Sequence, residues 1–212
     1  VAGADAVIGD RAYGNTPGKV AKIARAVTQG LEDGGVLPIL KHIPGHGRAT
    51  ADSHARLPTV DTPREELART DFAAFQPLAD LPMAMTAHVV FSALDPAHPA
   101  TTSATIINQV IRGTIGFQGL LMSDDVSMNA LSGSIAERTA AIIAAGCDMV
   151  LHCNGKMEEM GAVAAKTPVL AGEALARADR VLASRKEPKP FDRVAGRGEL
   201  DALIARAGSL IA

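Results

Sequence analysis

Short apolar segments alternate with segments of helical periodicity along most of this 212-residue chain. Five segments are predicted to be strands, because each is short, apolar and bounded by glycine, proline or aspartate: residues 6–9, 36–41, 83–90, 119–123 and 147–153. Four are predicted to be helices: residues 18–32, 63–78, 103–115 and 135–145. This alternation predicts parallel strands joined by crossover helices, as in an α/β barrel or a doubly wound sheet.

Polar residues at the ends of the predicted strands favour the barrel. They are Lys41 and His42, Thr86 and His88, Ser123 and Asp124, and His152 and Asn154. The βα loops of a barrel present such groups on one face, whereas no GxGxxG motif supports a dinucleotide-binding sheet. We predict a (β/α)8 TIM-barrel type fold that is incomplete, roughly the C-terminal half to two-thirds of a barrel, because the strand candidates fall short of eight. Residues 1–186 are predicted to form this partial barrel and residues 187–212 a linker and a short C-terminal helix.

Composition argues against two classes of binding partner, nucleic acid and membrane. The net charge is -2, the pI is near 6.3, and the chain has five Phe, one Tyr and no Trp, so nucleic acid is not expected to bind. No apolar run approaches the roughly 18 residues that span a bilayer, and no signal peptide is recognised, so we expect no membrane partner and a cytoplasmic location. Cys147 and Cys153 are expected to be buried, reduced thiols.

The densest group of chemically active side chains follows the second predicted strand. Lys41, His42 and His46 lie in the motif KHIPGHG, and Asp52 and His54 come shortly after it. An aspartate that binds an imidazole raises its proton affinity and makes it a general acid or base near neutral pH. One alternative is that Asp52 caps a turn while His54 is merely exposed. Another is that these histidines and Asp52 bind zinc as in a metal-dependent barrel hydrolase, although no H-x-H or HExxH spacing occurs.

A second constellation lies in residues 116–128, where an apolar strand ends in Ser123, Asp124 and Asp125. A carboxylate in this position can be a nucleophile, a base or a metal ligand. Two successive side chains of a strand point in different directions, so only one of the two is expected to face a site. The other interpretation is structural: either carboxylate, Asp125 above all, could cap the helix that follows.

Taken together and in this order, KHIPGHG, Asp-Ser-His at 52–54 and GFQGLLMSDD at 116–125 resemble glycoside hydrolase family three. The histidine-containing loop is similar to that of the family's bacterial β-N-acetylglucosaminidase branch, which acts in peptidoglycan recycling. The resemblance extends from residues 8–14 to residues 146–151. It implies an amino-sugar oligosaccharide or a muropeptide as substrate, and neither a metal nor a cofactor.

The resemblance also assigns roles to individual residues. Asp124 matches the catalytic nucleophile, and His54 matches the acid/base, with Asp52 as its orienting partner. Arg11, Lys41 and His42 match residues that hold the sugar hydroxyls. A histidine on a loop implies that the acid/base swings into place during the reaction.

In the family the barrel begins upstream of the Arg11 motif, so the chain is expected to be N-terminally truncated. The opening strands would then come from a partner half-barrel, or the exposed sheet edges would self-associate. A remaining alternative is an inactive remnant that binds amino sugars weakly.

Overall fold

The computed structural model describes residues 9–49 and 56–208. Within them the strands are β1 (Ile39–Ile43), β2 (Thr59–Val60), β3 (Met83–Thr86), β4 (Val90–Phe91), β5 (Leu120–Asp125) and β6 (Met149–Leu151). Strands β1, β3, β5 and β6 form a parallel sheet in that order, and β2 pairs with β4 in a separate parallel pair. The predicted α/β class with parallel strands is therefore confirmed.

Helices cover the segments between the strands. They are α1 (Pro17–Asp33), α2 (Arg64–Arg69), α3 (Ile135–Ala145), α4 (Met157–Ala164), α5 (Gly172–Ser184) and α6 (Arg193–Gly208). A π-helical segment spans Ile106–Thr114, and short 3-10 turns lie at Gly9–Arg11, Phe72–Ala74, Gln76–Leu78 and Ala100–Thr102. None of the helices in the described part of the chain is both long and apolar enough to cross a bilayer.

The core lies between the main sheet and the helices. Phe72, Phe91, Phe117, Leu121 and Ile142 are among its fully buried side chains. The rings of Phe72 and Phe91 meet edge to face, with centroids 6.4 Å apart. Each such side chain contributes about 1.5–3 kcal/mol of hydrophobic free energy on burial, so this cluster fixes the sheet that presents the polar strand ends.

Two of the four helix predictions agree closely with the structure. The predicted helices 18–32 and 135–145 correspond to α1 and α3. Helix α3 begins with a capping box, in which the Ser134 hydroxyl accepts the Glu137 N–H and the Glu137 carboxylate accepts the Ser134 N–H, and it ends at Gly146 in a left-handed conformation. The segment 103–115 is also helical, with Ser103 Oγ accepting the N–H of Ile106, although most of it is π-helical.

The prediction of one helix over residues 63–78 is wrong. Helix α2 ends at Arg69, and the two 3-10 turns follow it. The Arg48 guanidinium binds Asp71 Oδ2 at 2.7 Å and Thr70 Oγ1 at 3.0 Å, so long-range contacts hold the chain just after α2. Pro77 has no N–H and would clash with the carbonyl four residues earlier in a continuous helix.

Several strand boundaries also differ from the predictions. The predicted strand 83–90 is divided into β3 and β4, because the chain leaves the main sheet after Thr86 to pair with β2. The strands predicted at 36–41, 119–123 and 147–153 correspond to β1, β5 and β6 with shifted ends. The strand predicted at 6–9 lies outside the described residues except for Gly9, which begins a 3-10 turn.

A buried charge cluster ties the N-terminal ends of the last two sheet strands together. The Asp148 carboxylate accepts hydrogen bonds from Arg112 at 2.9 Å, from Arg177 at 2.8 Å and from the N–H of Leu121 at 2.8 Å. Its side chain is 4% exposed. Arg112 also stacks on the ring of Phe117. The cluster joins β5, β6 and α5, and thereby sets the register of the strand that carries Asp124.

Candidate active site

His42 and Asp124 meet at the C-terminal edge of the main sheet. His42 lies in β1 and Asp124 in β5, on either side of the end of β3. The His42 Nε2 and Asp124 Oδ2 atoms are 3.5 Å apart, and the two side chains are 21% and 14% exposed. The two strand-end motifs therefore place an imidazole and a carboxylate together in a largely desolvated position that a ligand can still reach.

The two neighbouring carboxylates of β5 point in different directions, as predicted. Asp124 Oδ1 accepts the N–H of Asp125 at 2.8 Å, which leaves Oδ2 toward His42. The Asp125 side chain instead accepts hydrogen bonds from the N–H and hydroxyl of Ser127 at 3.0 and 2.6 Å, and from the N–H of Cys153 at 3.1 Å. Asp125 therefore has a structural role. It caps a turn and not a helix, because the next helix begins only after Ser134.

The electrostatics of His42 favour a neutral ring. Burial lowers the pKa of His42 to about 4, although the Asp124 carboxylate acts in the opposite direction, and the charge of Lys41 lowers it further. At neutral pH the pair is thus a neutral imidazole beside a carboxylate, and not an ion pair. A neutral imidazole donates through one nitrogen and accepts through the other, which suits contact with a hydroxyl-bearing ligand.

Of the other predicted site residues, the structure describes two and not the remaining two. Lys41 precedes His42 in β1, is exposed, and is joined to it by a cis peptide bond. Arg11 ends the 3-10 turn Gly9–Arg11 and is exposed. Asp52 and His54 lie outside the described residues. The assignment of Asp124, His54 and Asp52 to catalysis, and of Arg11, Lys41 and His42 to substrate binding, stays a prediction.

His88, which could have lined the site, is instead packed behind it. The side chain is 0% exposed, with Nδ1 2.8 Å from Thr101 Oγ1 and Nε2 3.0 Å from the carbonyl oxygen of Asp125. The ring of His46 lies beside that of His42, with the two centroids 5.8 Å apart.

The loop between β6 and α4 follows the strand next to β5, and no role was predicted for its His152 and Asn154. It is organised by Glu159, in the first turn of α4, which accepts hydrogen bonds from His152, Asn154 and Lys156 at 3.1, 2.6 and 3.1 Å. These donors lower the pKa of Glu159 to about 2. The sequence signal for this arrangement is the carboxylate of Glu159, but the helix that carries it, α4, was not predicted.

A metal site does not form from the described side chains alone. Residues 9–49 and 56–208 contain no group of three or more His, Cys, Asp and Glu side chains arranged to hold a metal ion. Two of the four zinc ligands considered from the sequence, Asp52 and His54, lie outside that part of the chain.

Comparisons with known proteins show the family and the fold of the chain. The model of the glycosyl hydrolase family 3 N terminal domain matches residues 1–183. The chain is 44% identical over 156 residues to a beta-hexosaminidase of Alkalilimnicola ehrlichii, covering 72% of this chain and 44% of the relative. It is 35% identical over 181 residues to a beta-hexosaminidase of Idiomarina loihiensis, covering 84% of this chain and 54% of the relative. The chain spans about half the length of these curated relatives.

Solved structures show the same fold. Native NagZ from Neisseria gonorrhoeae superposes with a TM-score of 0.76 at 33% identity, over 94% of this chain and 56% of that one. A glycoside hydrolase family 3 beta-N-acetylglucosaminidase from Paenibacillus superposes with a TM-score of 0.76 at 31% identity, over 89% of this chain and 39% of that one. The predicted TIM-barrel type is confirmed, and the chain belongs to glycosyl hydrolase family 3, through its N-terminal domain.

Proposed function

We propose that this chain carries the catalytic residues of a retaining β-N-acetylglucosaminidase, with Asp124 as nucleophile, His54 as acid/base and Asp52 as the partner that orients His54. The observation that carries the proposal is the Asp124 carboxylate at the end of β5. One of its oxygens accepts the N–H of Asp125, and the other lies 3.5 Å from His42 Nε2 at the rim of the sheet. A fixed, partly exposed carboxylate at a barrel strand end is what covalent glycoside hydrolysis requires.

The reaction follows from these groups in two steps. Asp124 attacks the anomeric carbon while His54 gives a proton to the leaving glycosidic oxygen, so a bond from carbon to the carboxylate forms as the glycosidic bond breaks. His54 then takes a proton from water, and the resulting hydroxide displaces Asp124 from the anomeric carbon. The sugar is released with its β configuration retained, and both side chains return to their starting protonation states.

The residues around Asp124 support an amino-sugar substrate. Neutral His42 and the exposed cation of Lys41 lie at the end of β1 and can donate to sugar hydroxyls, as Arg11 can in the proposed site. The matched relatives are named beta-hexosaminidase and beta-N-acetylglucosaminidase. Within that class we propose terminal β-linked N-acetylglucosamine of peptidoglycan-derived muropeptides as the substrate. Cys147 is buried as expected, whereas Cys153 is exposed and the expectation of a buried thiol is wrong there. Both are free thiols, which suits a cytoplasmic location.

The edges of the main sheet support the proposal that further strands pair with this chain. In the described residues β1 and β6 each pair with one strand, and Ile39 and Met149 at these edges are 40% and 41% exposed. Unpaired, apolar edge strands favour the addition of further strands. We expect a half-barrel segment or a second copy of the chain to pair with them.

A chromogenic assay tests the chemistry. The 212-residue chain, alone or with a supplied N-terminal half-barrel, is expected to hydrolyse 4-nitrophenyl N-acetyl-β-D-glucosaminide, and Asp124→Asn is expected to lower kcat by at least about 10³-fold. In Asp124→Ala, added azide should restore turnover and give the α-glycosyl azide, because the small anion replaces the missing nucleophile. Proton NMR should show the β-anomer as the first product. Inversion, or equal turnover by Asp124→Asn, would overturn the proposal.

The substrate assignment has its own test. The ratio kcat/KM is measured for N-acetylglucosaminyl-anhydromuramyl peptide and for N,N′-diacetylchitobiose with the same preparation. We expect the muropeptide fragment to be preferred. A preference for chitobiose would leave the glycosidase chemistry standing and overturn the peptidoglycan assignment.

A further inference from the structure

His88 is a buried titratable side chain to which the proposed reaction gives no role. It lies between β3 and β4 and is 0% exposed, yet both of its ring nitrogens have partners. Nδ1 is 2.8 Å from Thr101 Oγ1, and Nε2 is 3.0 Å from the carbonyl oxygen of Asp125. The ring therefore connects the turn at Ala100–Thr102 to the end of the strand that carries Asp124.

The hydrogen-bond partners define the protonation state of the ring. A carbonyl oxygen only accepts, so Nε2 of His88 carries a proton. The Thr101 hydroxyl has one proton and two acceptors in reach, His88 Nδ1 and the carbonyl oxygen of Ala87 at 3.0 Å. In a neutral ring Nδ1 accepts that proton, and Thr86 Oγ1, 2.9 Å away, donates to Thr101 Oγ1. Burial lowers the pKa of His88, which favours this neutral arrangement.

We propose that His88 is a positioning residue for Asp124, acting through the backbone of Asp125. The Nε2–H of His88 and the N–H of Met128, 3.1 Å away, both donate to the carbonyl oxygen of Asp125. The N–H of Asp125 in turn donates to Asp124 Oδ1 at 2.8 Å. Holding the Asp125 backbone therefore sets the direction of the Asp124 carboxylate. This inference rests on the proposed function, in which Asp124 attacks the sugar.

The expected loss of rate on removing the His88 donor follows from geometry. Loss of the His88 donor leaves the Asp125 carbonyl with its Met128 partner, so the oxygen is not left unpaired. The carbonyl oxygen of Asp125 is then held by the N–H of Met128 alone. Because misplacement of a reacting group by about 1 Å can cost about 10²-fold in rate, the loss should fall on kcat and not on KM.

A matched pair of variants separates this role from simple packing. The terminal amide of Gln reaches the position of Nε2, whereas the shorter Asn reaches only the position of Nδ1. We expect His88→Gln to keep kcat within about 3-fold, and His88→Asn to lower kcat by about 10- to 100-fold with KM changed by less than about 3-fold. Equal kcat values for the two variants, or a loss that appears only in KM, would overturn the proposal.

Nuclear magnetic resonance of the unsubstituted full chain tests the same inference without turnover. With ¹⁵N-labelled histidine, His88 is expected to show the neutral Nε2–H tautomer at pH 7 and a slowly exchanging Nε2 proton. The Asp125 amide proton should resonate downfield in the unsubstituted chain and in His88→Gln, and should move upfield in His88→Asn. The Nδ1–H tautomer, which lacks the Nε2 donor, would overturn the inference. If these signals are as expected and the unsubstituted chain lacks turnover, the proposed function fails while the hydrogen-bond path stands.

Discussion

The backbone N–H of Asp125 donates to Oδ1 of Asp124 at 2.8 Å, so one of two adjacent aspartates orients the other. The Asp125 side chain meanwhile holds Ser127 and the N–H of Cys153. The turn after β5 and the loop after β6 are thus joined through one carboxylate. This arrangement explains how two chemically identical neighbours differ: the side chain of Asp125 is held by hydrogen bonds to the fold, and the side chain of Asp124 faces His42 at the edge of the sheet.

Substitutions of Asp125 should distinguish the contribution of its side-chain hydrogen bonds to stability from that of its negative charge. In Asp125→Asn the amide oxygen can still accept the N–H groups of Ser127 and Cys153, and the amide nitrogen can donate to the Ser127 hydroxyl. We expect the free energy of unfolding to change by less than about 1 kcal/mol. Asp125→Ala leaves these donors without their acceptor and should cost about 1–3 kcal/mol. Urea unfolding of the two variants measures the difference, and equal losses would show that the charge itself is what matters.

Local signals were enough to predict α3 from the sequence. Ser134 and Glu137 form its capping box, and Gly146, with φ of 110°, ends it, so every determinant lies within the segment. The end of α2 could not be predicted in the same way. It is set by Arg48, which lies 23 residues before its partner Asp71 and binds it at 2.7 Å. Sequence patterns record starts and stops of helices, but not contacts with distant residues.

The candidate site could likewise be predicted only as far as local sequence signals reach. Strand-end placement was sufficient to expect His42 and Asp124 at one edge of the sheet. The division of roles between Asp124 and Asp125 was expected only in general terms, because one of the partners that hold the Asp125 side chain, the N–H of Cys153, is 28 residues away. The position of His88 behind the site, and not in it, depends on Thr101 and likewise has no local signal.

Removal of the buried charge of Asp148 should destabilise the fold strongly. Its carboxylate is 4% exposed and is shared by Arg112 and Arg177, so Asp148→Asn leaves two largely buried guanidinium groups without their counter-charge. We expect a loss of about 3–5 kcal/mol in the free energy of unfolding. Arg177→Met, which keeps the Arg112–Asp148 pair, should lose less. Chemical denaturation of both variants makes the comparison, and the reverse order would contradict the placement of Asp148 at the centre of the cluster.

Two glycines should respond to alanine with opposite signs. A Cβ on Gly119 would lie 2.5 Å from the carbonyl oxygen of Pro82 and 2.8 Å from that of Leu81. The backbone at the start of β5, beside β3, would then have to move. We therefore expect Gly119→Ala to lower the free energy of unfolding by about 1–3 kcal/mol. Gly30 lies in α1 with open space around the added carbon, and Gly30→Ala should stabilise the chain by about 0.5–1 kcal/mol. Thermal unfolding of both variants tests the pair, and stabilisation by Gly119→Ala would refute the close approach.

The stability of the chain should fall as the pH decreases from 6.5 to 4. Burial lowers the pKa of His42 from 6.5 to about 4, so in this window the unfolded chain binds a proton that the folded chain does not. Unfolding therefore becomes easier with acid, by up to about 3 kcal/mol from His42 once the pH is below both values. His88, whose pKa is also lowered by burial, acts with the same sign.

The control for this pH dependence is His42→Gln, which removes one titrating group and leaves His88 in place. Its unfolding free energy, measured in urea at pH 4 to 7.5, should change less steeply with pH than that of the unsubstituted chain, with the residual slope due to His88 and the carboxylates. An unchanged slope in His42→Gln would mean that the pKa of His42 is the same in the folded and unfolded chains, and a steeper slope would mean that pairing with Asp124 raises it in the folded chain.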